Sequence, residues 1–181
     1  MNAEKSYSFG SRMAGACLEQ SWLFDGLLWR ISTGFLDDLT TSGYYKTLNF
    51  TTPETGRTFY GFITLDKTGA EIFSSLIEGG TYTVGSATDL TMYNLKQTST
   101  STAPFTPKLG LFTTSGTSIT GGTTIASRLT PGASTGLSKP GGSVEAGGWL
   151  ELKPGTMYTV KMECKGAVTA YGVQLVFAYT N

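Results

Sequence analysis

The chain has 181 residues with 13 basic and 13 acidic side chains, so its formal net charge is zero. Only 14% of the residues are charged, which disfavours a nucleic-acid partner held mainly through phosphate contacts. Histidine is absent, which removes the commonest general base and metal ligand and excludes most hydrolase and metalloenzyme classes. The length fits one folded domain with a hydrophobic core.

The composition is typical of an all-β protein with many turns. The chain contains 30 Thr, 17 Ser and 24 Gly, and Thr favours strands whereas Gly and Ser favour turns. Residues 1–20 lack the apolar run of a signal peptide, and no stretch approaches the ~20 apolar residues of a membrane span. We therefore expect a protein that starts in a reducing cytoplasm, without a membrane partner.

Residues 1–45 differ from the rest of the chain, because aromatic and aliphatic side chains between positions 22 and 36 surround Arg30. Their spacing fits a short amphipathic helix and a strand about equally well. The composition is typical of an anchor surface, and equally of plain core packing. We predict an N-terminal arm or docking segment at 1–45, whose partner-binding residues are Trp22, Phe24, Leu27, Leu28, Trp29 and Arg30.

From residue 46 onward, short apolar or alternating runs separated by turn signals predict a series of strands. A turn is predicted at 66–69, an exposed Thr/Ser/Pro connection at 97–107, one or two edge strands within 114–143, and a hairpin around 153–156. In chain order, the predicted strands cover residues 48–52, 57–65, 72–78, 81–84, 90–95, 108–113, 143–152, 157–163 and 173–179.

About eight short strands without a convincing helix after residue 45 predict a two-sheet antiparallel sandwich at 46–181. A jelly roll is the first topology. An immunoglobulin-like sandwich is the second, because the cysteine spacing and the absence of a Trp between two strand cysteines count against it.

Three groups of residues suggest chemistry but are better explained as structure. Residues 132–136 match the G-x-S-x-G nucleophile motif, yet the chain offers no histidine partner. Asp37 and Asp38, with Asp25 nearby, lack the regular ligand spacing of a calcium loop and are interpreted as solvated or capping residues. The remaining group consists of three glutamates, two of which could form the carboxylate pair of a glycosidase. We interpret all three as surface residues: Glu145, Glu151 and Glu163.

Cys17 and Cys164 lie far apart in sequence. They can form a disulfide only if the N-terminal segment packs beside the penultimate strand. Two free, buried thiols are the expected state, because a lone cysteine commonly behaves as a small buried hydrophobic residue.

About three quarters of the chain resembles a family of structural proteins of tailed bacteriophages, the jelly-roll capsid decoration or cement proteins. The most specific element is GWLELKPGTMY at residues 148–158. The stretch at 93–97 differs from the family pattern, because it lacks arginine. Further similar segments are NFTTP at 49–53, YGFI at 60–63, LIEG at 76–79, KPGG at 139–142 and the final aromatic strand.

The resemblance implies a non-enzymatic virion protein without a cofactor. It would bind the major capsid protein on the outside of the shell, assemble with itself as a homotrimer, and reach the virion in the bacterial host cytoplasm. The alternative from the residues is a receptor- or glycan-binding module of a tail fibre or tail tip. Its sugar-stacking platform would consist of Trp22, Trp29, Tyr44, Tyr45 and Trp149.

Overall fold

The structure is a computed structural model that describes residues 20–54, 59–83, 87–112, 119–131, 144–145 and 150–179. The described residues form one helical turn at residues 20–24 and a series of β-strands. The strands are β1 (Leu28–Ser32), β2 (Tyr45–Thr51), β3 (Phe59–Gly69), β4 (Ile72–Glu78), β5 (Thr81–Tyr82), β6 (Ala87–Asp89), β7 (Met92–Asn94), β8 (Lys108–Phe112), β9 (Ile119–Thr120), β10 (Thr123–Thr130), β11 (Val144–Glu145), β12 (Leu150–Leu152), β13 (Met157–Cys164) and β14 (Val168–Tyr179).

The strands form two six-stranded antiparallel sheets, as predicted for an all-β sandwich. The front sheet has the order β11-β3-β14-β1-β7, with β12 also paired to β3. The back sheet has the order β10-β4-β13-β2-β8-β6, and β5 pairs with β9 in a small separate sheet. Strands that follow each other in sequence, such as β1 and β2 or β3 and β4, hold equal positions in the two sheets. The chain therefore crosses repeatedly from one sheet to the other.

The central strands follow an alternation in which every second side chain faces the core. In β14, Val173, Leu175 and Phe177 are buried, whereas Gln174 and Val176 between them are only half-buried. The same alternation in β13 buries the side chains of Tyr158, Val160, Met162 and Cys164. Both strands were predicted from this pattern, and both are confirmed.

An aromatic cluster joins the two sheets. Phe50 of the back sheet and Phe177 of the front sheet meet edge to face, with ring centroids 5.0 Å apart. Phe105 stacks on Phe50 at 5.4 Å and contacts Phe177 edge-on at 5.3 Å. The predicted connection at 97–107 forms no strand, but it is not wholly exposed, because Phe105 packs into this cluster.

The predicted hairpin around residues 153–156 is wrong. β12 pairs with β3 in the front sheet, whereas β13 pairs with β2 and β4 in the back sheet. The turn therefore carries the chain from one sheet to the other. It is held by Thr52, whose hydroxyl donates to the carbonyl of Lys153 at 2.6 Å, and by Gly155 in the left-handed conformation with φ of 61°.

The predicted turn at 66–69 is also displaced. Strand β3 continues to Gly69 and pairs with β14 through Gly172 opposite Asp66 and Tyr171 opposite Lys67. Pairing along the long β14 strand outweighs the local turn preference of the sequence. The chain reverses after Gly69, where φ is 92°.

Part of the segment predicted as an N-terminal arm lies within the sandwich. Leu28–Ser32 forms β1, which pairs with β14 on one side and β7 on the other. The predicted strand at 90–95 corresponds to β7 in the front sheet, and β6, which precedes it in the sequence, joins the back sheet.

Cys164 is a free thiol that is buried at the end of β13. Its Sγ donates to the carbonyl oxygen of Thr41 at 2.7 Å, and burial raises the pKa of the Cys164 thiol. Cys17 lies outside the described residues.

Candidate interaction surface

The helical turn at residues 20–24 is fastened beside the end of β7. The side-chain amide of Asn94 donates to the carbonyl of Gly26 at 2.7 Å, and the Lys96 ammonium donates to the carbonyl of Phe24 at 2.7 Å. A Cβ atom at Gly26 would lie only 3.1 Å from the Ser99 hydroxyl, so this residue permits a close approach. The turn is therefore positioned by the fold.

The six predicted partner-binding residues are divided between surface and interior. Phe24 is 72% exposed, and Arg30 is also exposed. Trp22 and Leu27 are half-buried, whereas Leu28 and Trp29 are only 6% and 4% exposed. Leu28 and Trp29 therefore contribute to the stability of the sheet, and only part of the predicted set is available to a partner.

A β-bulge after β1 brings a further aromatic ring to the surface. Ser32 lies opposite Gln174 and Leu36 opposite Tyr171, so residues 33–35 face only the two residues 172–173. Gly34 takes the left-handed conformation with φ of 66°, as a bulge of this kind requires. The next residue, Phe35, is consequently pushed outward and is 81% exposed.

The bulge depends on a second glycine in the neighbouring strand. A Cβ atom at Gly172 would lie 2.7 Å from the carbonyl oxygen of Gly34 and 3.8 Å from the ring of Phe35. Gly172 therefore lets the bulged segment cross the outer side of β14.

Tyr93 lies on the same outer side, directly opposite Arg30 in the pairing of β7 with β1. It is 61% exposed, while its neighbour Met92 faces the core. On the other side of Arg30, β14 contributes the half-buried Val176. Arg30 thus lies in the middle of the outer face, with an aromatic ring on one side and an aliphatic side chain on the other.

We call Phe24, Arg30, Phe35 and Tyr93 the front stripe. Exposed aromatic rings around an arginine are the composition found at the energetic centre of protein interfaces. Phe24 and Arg30 were among the partner-binding residues predicted from the sequence, whereas Phe35 and Tyr93 were not. Gly34 was the available signal for Phe35, because an isolated glycine in an apolar run can mark a bulge.

Five lysines of the described residues form ion pairs with acidic side chains of the same chain, whereas Arg30 does not. Among the described residues, Arg30 has no hydrogen bond or ion pair with another side chain. The ion pairs are Lys46 with Asp38, Lys108 with Asp89 at 2.8 Å, Lys153 with Glu78 at 2.5 Å, and Glu163 with both Lys161 at 2.9 Å and Lys165 at 2.5 Å.

A second exposed apolar group, the back patch, lies at the edge of the back sheet and comprises Phe73, Ile125 and Leu129. Phe73 and Leu129 are cross-strand neighbours, 36% and 49% exposed. Ile125 is 40% exposed at a bulge of β10, which is an edge strand, as predicted for this region. The Lys165 ammonium already covers Phe73, at 5.7 Å from the ring centroid.

Two glutamates of the back sheet are engaged in structural contacts. Hydrogen bonds from Lys153 and Tyr158 lower the pKa of Glu78, despite the opposing effect of burial. Hydrogen bonds from Lys165 and Lys161 similarly lower the pKa of Glu163. A glycosidase acid needs a raised pKa, so neither carboxylate has the electrostatics of a general acid.

Asp38 belongs to a partly buried cluster between the sheets. It pairs with the Lys46 ammonium and accepts a hydrogen bond of 2.6 Å from the Tyr171 hydroxyl, so its role is structural, but it is a partly buried ion-pair member rather than the predicted solvated or capping residue. Asp37 beside it is exposed. Among the described residues, no group of three or more possible ligands is arranged to hold a metal ion, and no helix is long and apolar enough to cross a membrane.

The residues of the proposed sugar platform do not share one environment. Trp29 is buried, whereas Trp22, Tyr44 and Tyr45 are half-buried. Trp149 and the G-x-S-x-G motif at 132–136 lie outside the described residues.

Comparisons of the chain with protein-family models, with curated proteins and with solved structures gave no match.

Proposed function

We propose that the protein is a non-enzymatic structural protein of a bacteriophage virion, which binds the outside of the capsid and stabilises the shell. Its partners would be the major capsid protein and further copies of itself, as a homotrimer. The site of action would be the capsid surface, after assembly in the host cytoplasm. The jelly-roll form of the sandwich, which the resemblance implies, stays a prediction.

The observation that carries this proposal is the front stripe. Its three aromatic side chains are between 61% and 81% exposed, on the front sheet and on the turn held beside it. Such exposure is expected where a partner covers the surface.

Shell stabilisation would follow from mass action. A protein that binds the closed shell and not its separated subunits stabilises each site by about 2.7 kcal/mol when its free concentration is 100 times Kd. Many such sites per particle would raise the temperature at which the shell opens.

Co-sedimentation tests the proposal. Purified protein is mixed with shells of the phage that carries this sequence, stripped of it beforehand, and the mixture is centrifuged through sucrose. We expect protein in the shell fraction and a higher temperature of DNA release from filled particles. Protein that stays wholly in the supernatant contradicts the proposal.

A receptor- or glycan-binding module of a tail fibre or tail tip is the second candidate. The exposed rings of Phe35 and Tyr93 favour it, because aromatic faces also stack on sugars. A glycan-array or cell-binding signal that is lost in Tyr93→Ser, combined with no binding to shells, would support this candidate.

A further inference from the structure

Arg30 differs from its neighbours in both position and charge balance. It lies on β1, which β14 and β7 flank on either side, and its side chain is exposed between Tyr93 and Val176. The described residues provide it with no carboxylate, although the lysines of five other positions are all paired.

A guanidinium in this environment selects a particular kind of group. Its planar donors fit the two oxygens of a carboxylate with two parallel hydrogen bonds. Once aromatic side chains exclude water from the contact, such a pair becomes stronger than an exposed surface pair. Phe35 extends the apolar surroundings, since its ring lies near Gly172. Gly172 is about 14 Å from Val176 along β14, at the extended rise of about 3.4 Å per residue.

We propose that the front stripe binds a surface segment of the major capsid protein in which an Asp or Glu is flanked by apolar side chains. The carboxylate would pair with Arg30, and the apolar neighbours would pack on Tyr93 and Phe35. The identity of the capsid protein as partner rests on the proposed function, whereas the carboxylate is inferred from Arg30 itself.

Two other occupants fit the charges less well. A second copy docked face to face across a two-fold axis at Arg30 would bring two guanidinium groups towards each other, which is unfavourable. A phosphate-rich polymer needs several available cations along its path, whereas the described residues here offer Arg30 and Lys96, and the Lys96 ammonium is already bound to the carbonyl of Phe24. An acidic residue within an apolar protein segment provides one negative charge for Arg30 and apolar side chains for the neighbouring aromatic rings.

Binding of variants to stripped shells tests the inference. Arg30→Gln should weaken binding about 30-fold or more, since removing one partner of a desolvated pair costs at least about 2 kcal/mol. Arg128→Gln is the matched control, because Arg128 is an exposed arginine on the back sheet, and its affinity should stay within about twofold. Circular dichroism and the unfolding midpoint establish that both variants fold.

A carbodiimide coupling identifies the partner group. In Arg30→Lys, the new amine should form an amide with a shell carboxylate, and mass spectrometry of the peptides should place the link between position 30 and an Asp or Glu of the capsid protein. Arg128→Lys should give no such link.

The outcomes separate this inference from the proposed function. Wild-type protein that binds shells, together with unchanged affinity of Arg30→Gln, overturns the carboxylate contact while the capsid function stands. Links from position 30 to another copy of this chain overturn the choice of occupant. Wild-type protein that does not bind shells removes the proposed function, and the inferred capsid contact with it.

Discussion

The ion pair between Lys46 and Asp38 should respond unequally to removal of its two members. The Lys46 side chain is 10% exposed and that of Asp38 is 31% exposed, so the ammonium depends more on its partner than the carboxylate does. Asp38→Asn keeps an oxygen that can accept the Tyr171 hydroxyl but leaves the ammonium without a counter-charge. We expect a loss of about 3 kcal/mol in the free energy of unfolding, near the lower end for a broken buried pair.

Lys46→Met should cost less. Methionine fills much of the same volume, and the remaining carboxylate still receives the Tyr171 hydroxyl and reaches solvent. We expect a loss of about 1 kcal/mol. In the double variant no uncompensated charge remains, so its stability should lie close to that of Lys46→Met alone and well above that of Asp38→Asn.

Urea unfolding at about pH 7, monitored by tryptophan fluorescence, gives the free energy of unfolding of the wild type, the two single variants and the double variant. A loss in Lys46→Met that equals or exceeds the loss in Asp38→Asn would refute the reasoning. It would mean that the more exposed Asp38 depends on the ion pair at least as much as the buried Lys46 does.

The pH dependence provides a second readout of this pair. Burial alone would raise the pKa of Asp38, but the hydrogen bonds from Lys46 and Tyr171 and the Lys46 charge outweigh it and lower the pKa. A lowered folded-state pKa stabilises the protein at pH values above the unfolded pKa of about 3.9, and this stabilisation is lost as pH falls through the folded value. The stability difference between wild type and Asp38→Asn should therefore shrink below about pH 4, while contributions from Glu78 and Glu163 are common to both proteins.

Two further predictions concern single side chains. Gly172→Ala should destabilise the protein by about 2 kcal/mol or more, because the added methyl group meets the Gly34 carbonyl oxygen. Gly79→Ala is the control, because no atom lies within 4 Å of the added methyl group. It should lose only about 1 kcal/mol, from the left-handed backbone at Gly79. Equal costs in urea unfolding would contradict the steric argument. Thr130→Val should stabilise by about 1 kcal/mol, since the fully buried Thr130 hydroxyl has no hydrogen-bond partner among the described residues. A lower unfolding midpoint in this variant would show that the hydroxyl is satisfied.

The strand content and the central strands could be predicted from the sequence because alternation reports which side of a strand is buried. β14 shows this well, since Val173, Leu175 and Phe177 alternate with less buried residues. The same pattern contains no information about the neighbouring strand. Strands β12 and β13 were therefore assigned to one hairpin, although each belongs to a different sheet.

The candidate site was predictable only in part, for a related reason. Composition identified an apolar segment around Arg30, but it could not separate Trp29, which faces the core, from Phe24, which faces solvent. Tyr93 lies more than 60 positions from Arg30 in the sequence, and only the pairing of β7 with β1 brings the two together. Phe35 is exposed by a bulge whose geometry depends on a glycine in another strand.

Exposure alone does not distinguish the front stripe from the back patch, because both carry large apolar side chains and both lie at a bulge. Charge does distinguish them. The Lys165 ammonium beside Phe73 is already paired with Glu163, whereas Arg30 has no carboxylate among the described residues. A partner can therefore add an ion pair at the front stripe but would have to displace one at the back patch. For this reason Phe35→Ser should weaken binding to shells more than Phe73→Ser, even though both remove one exposed phenyl ring.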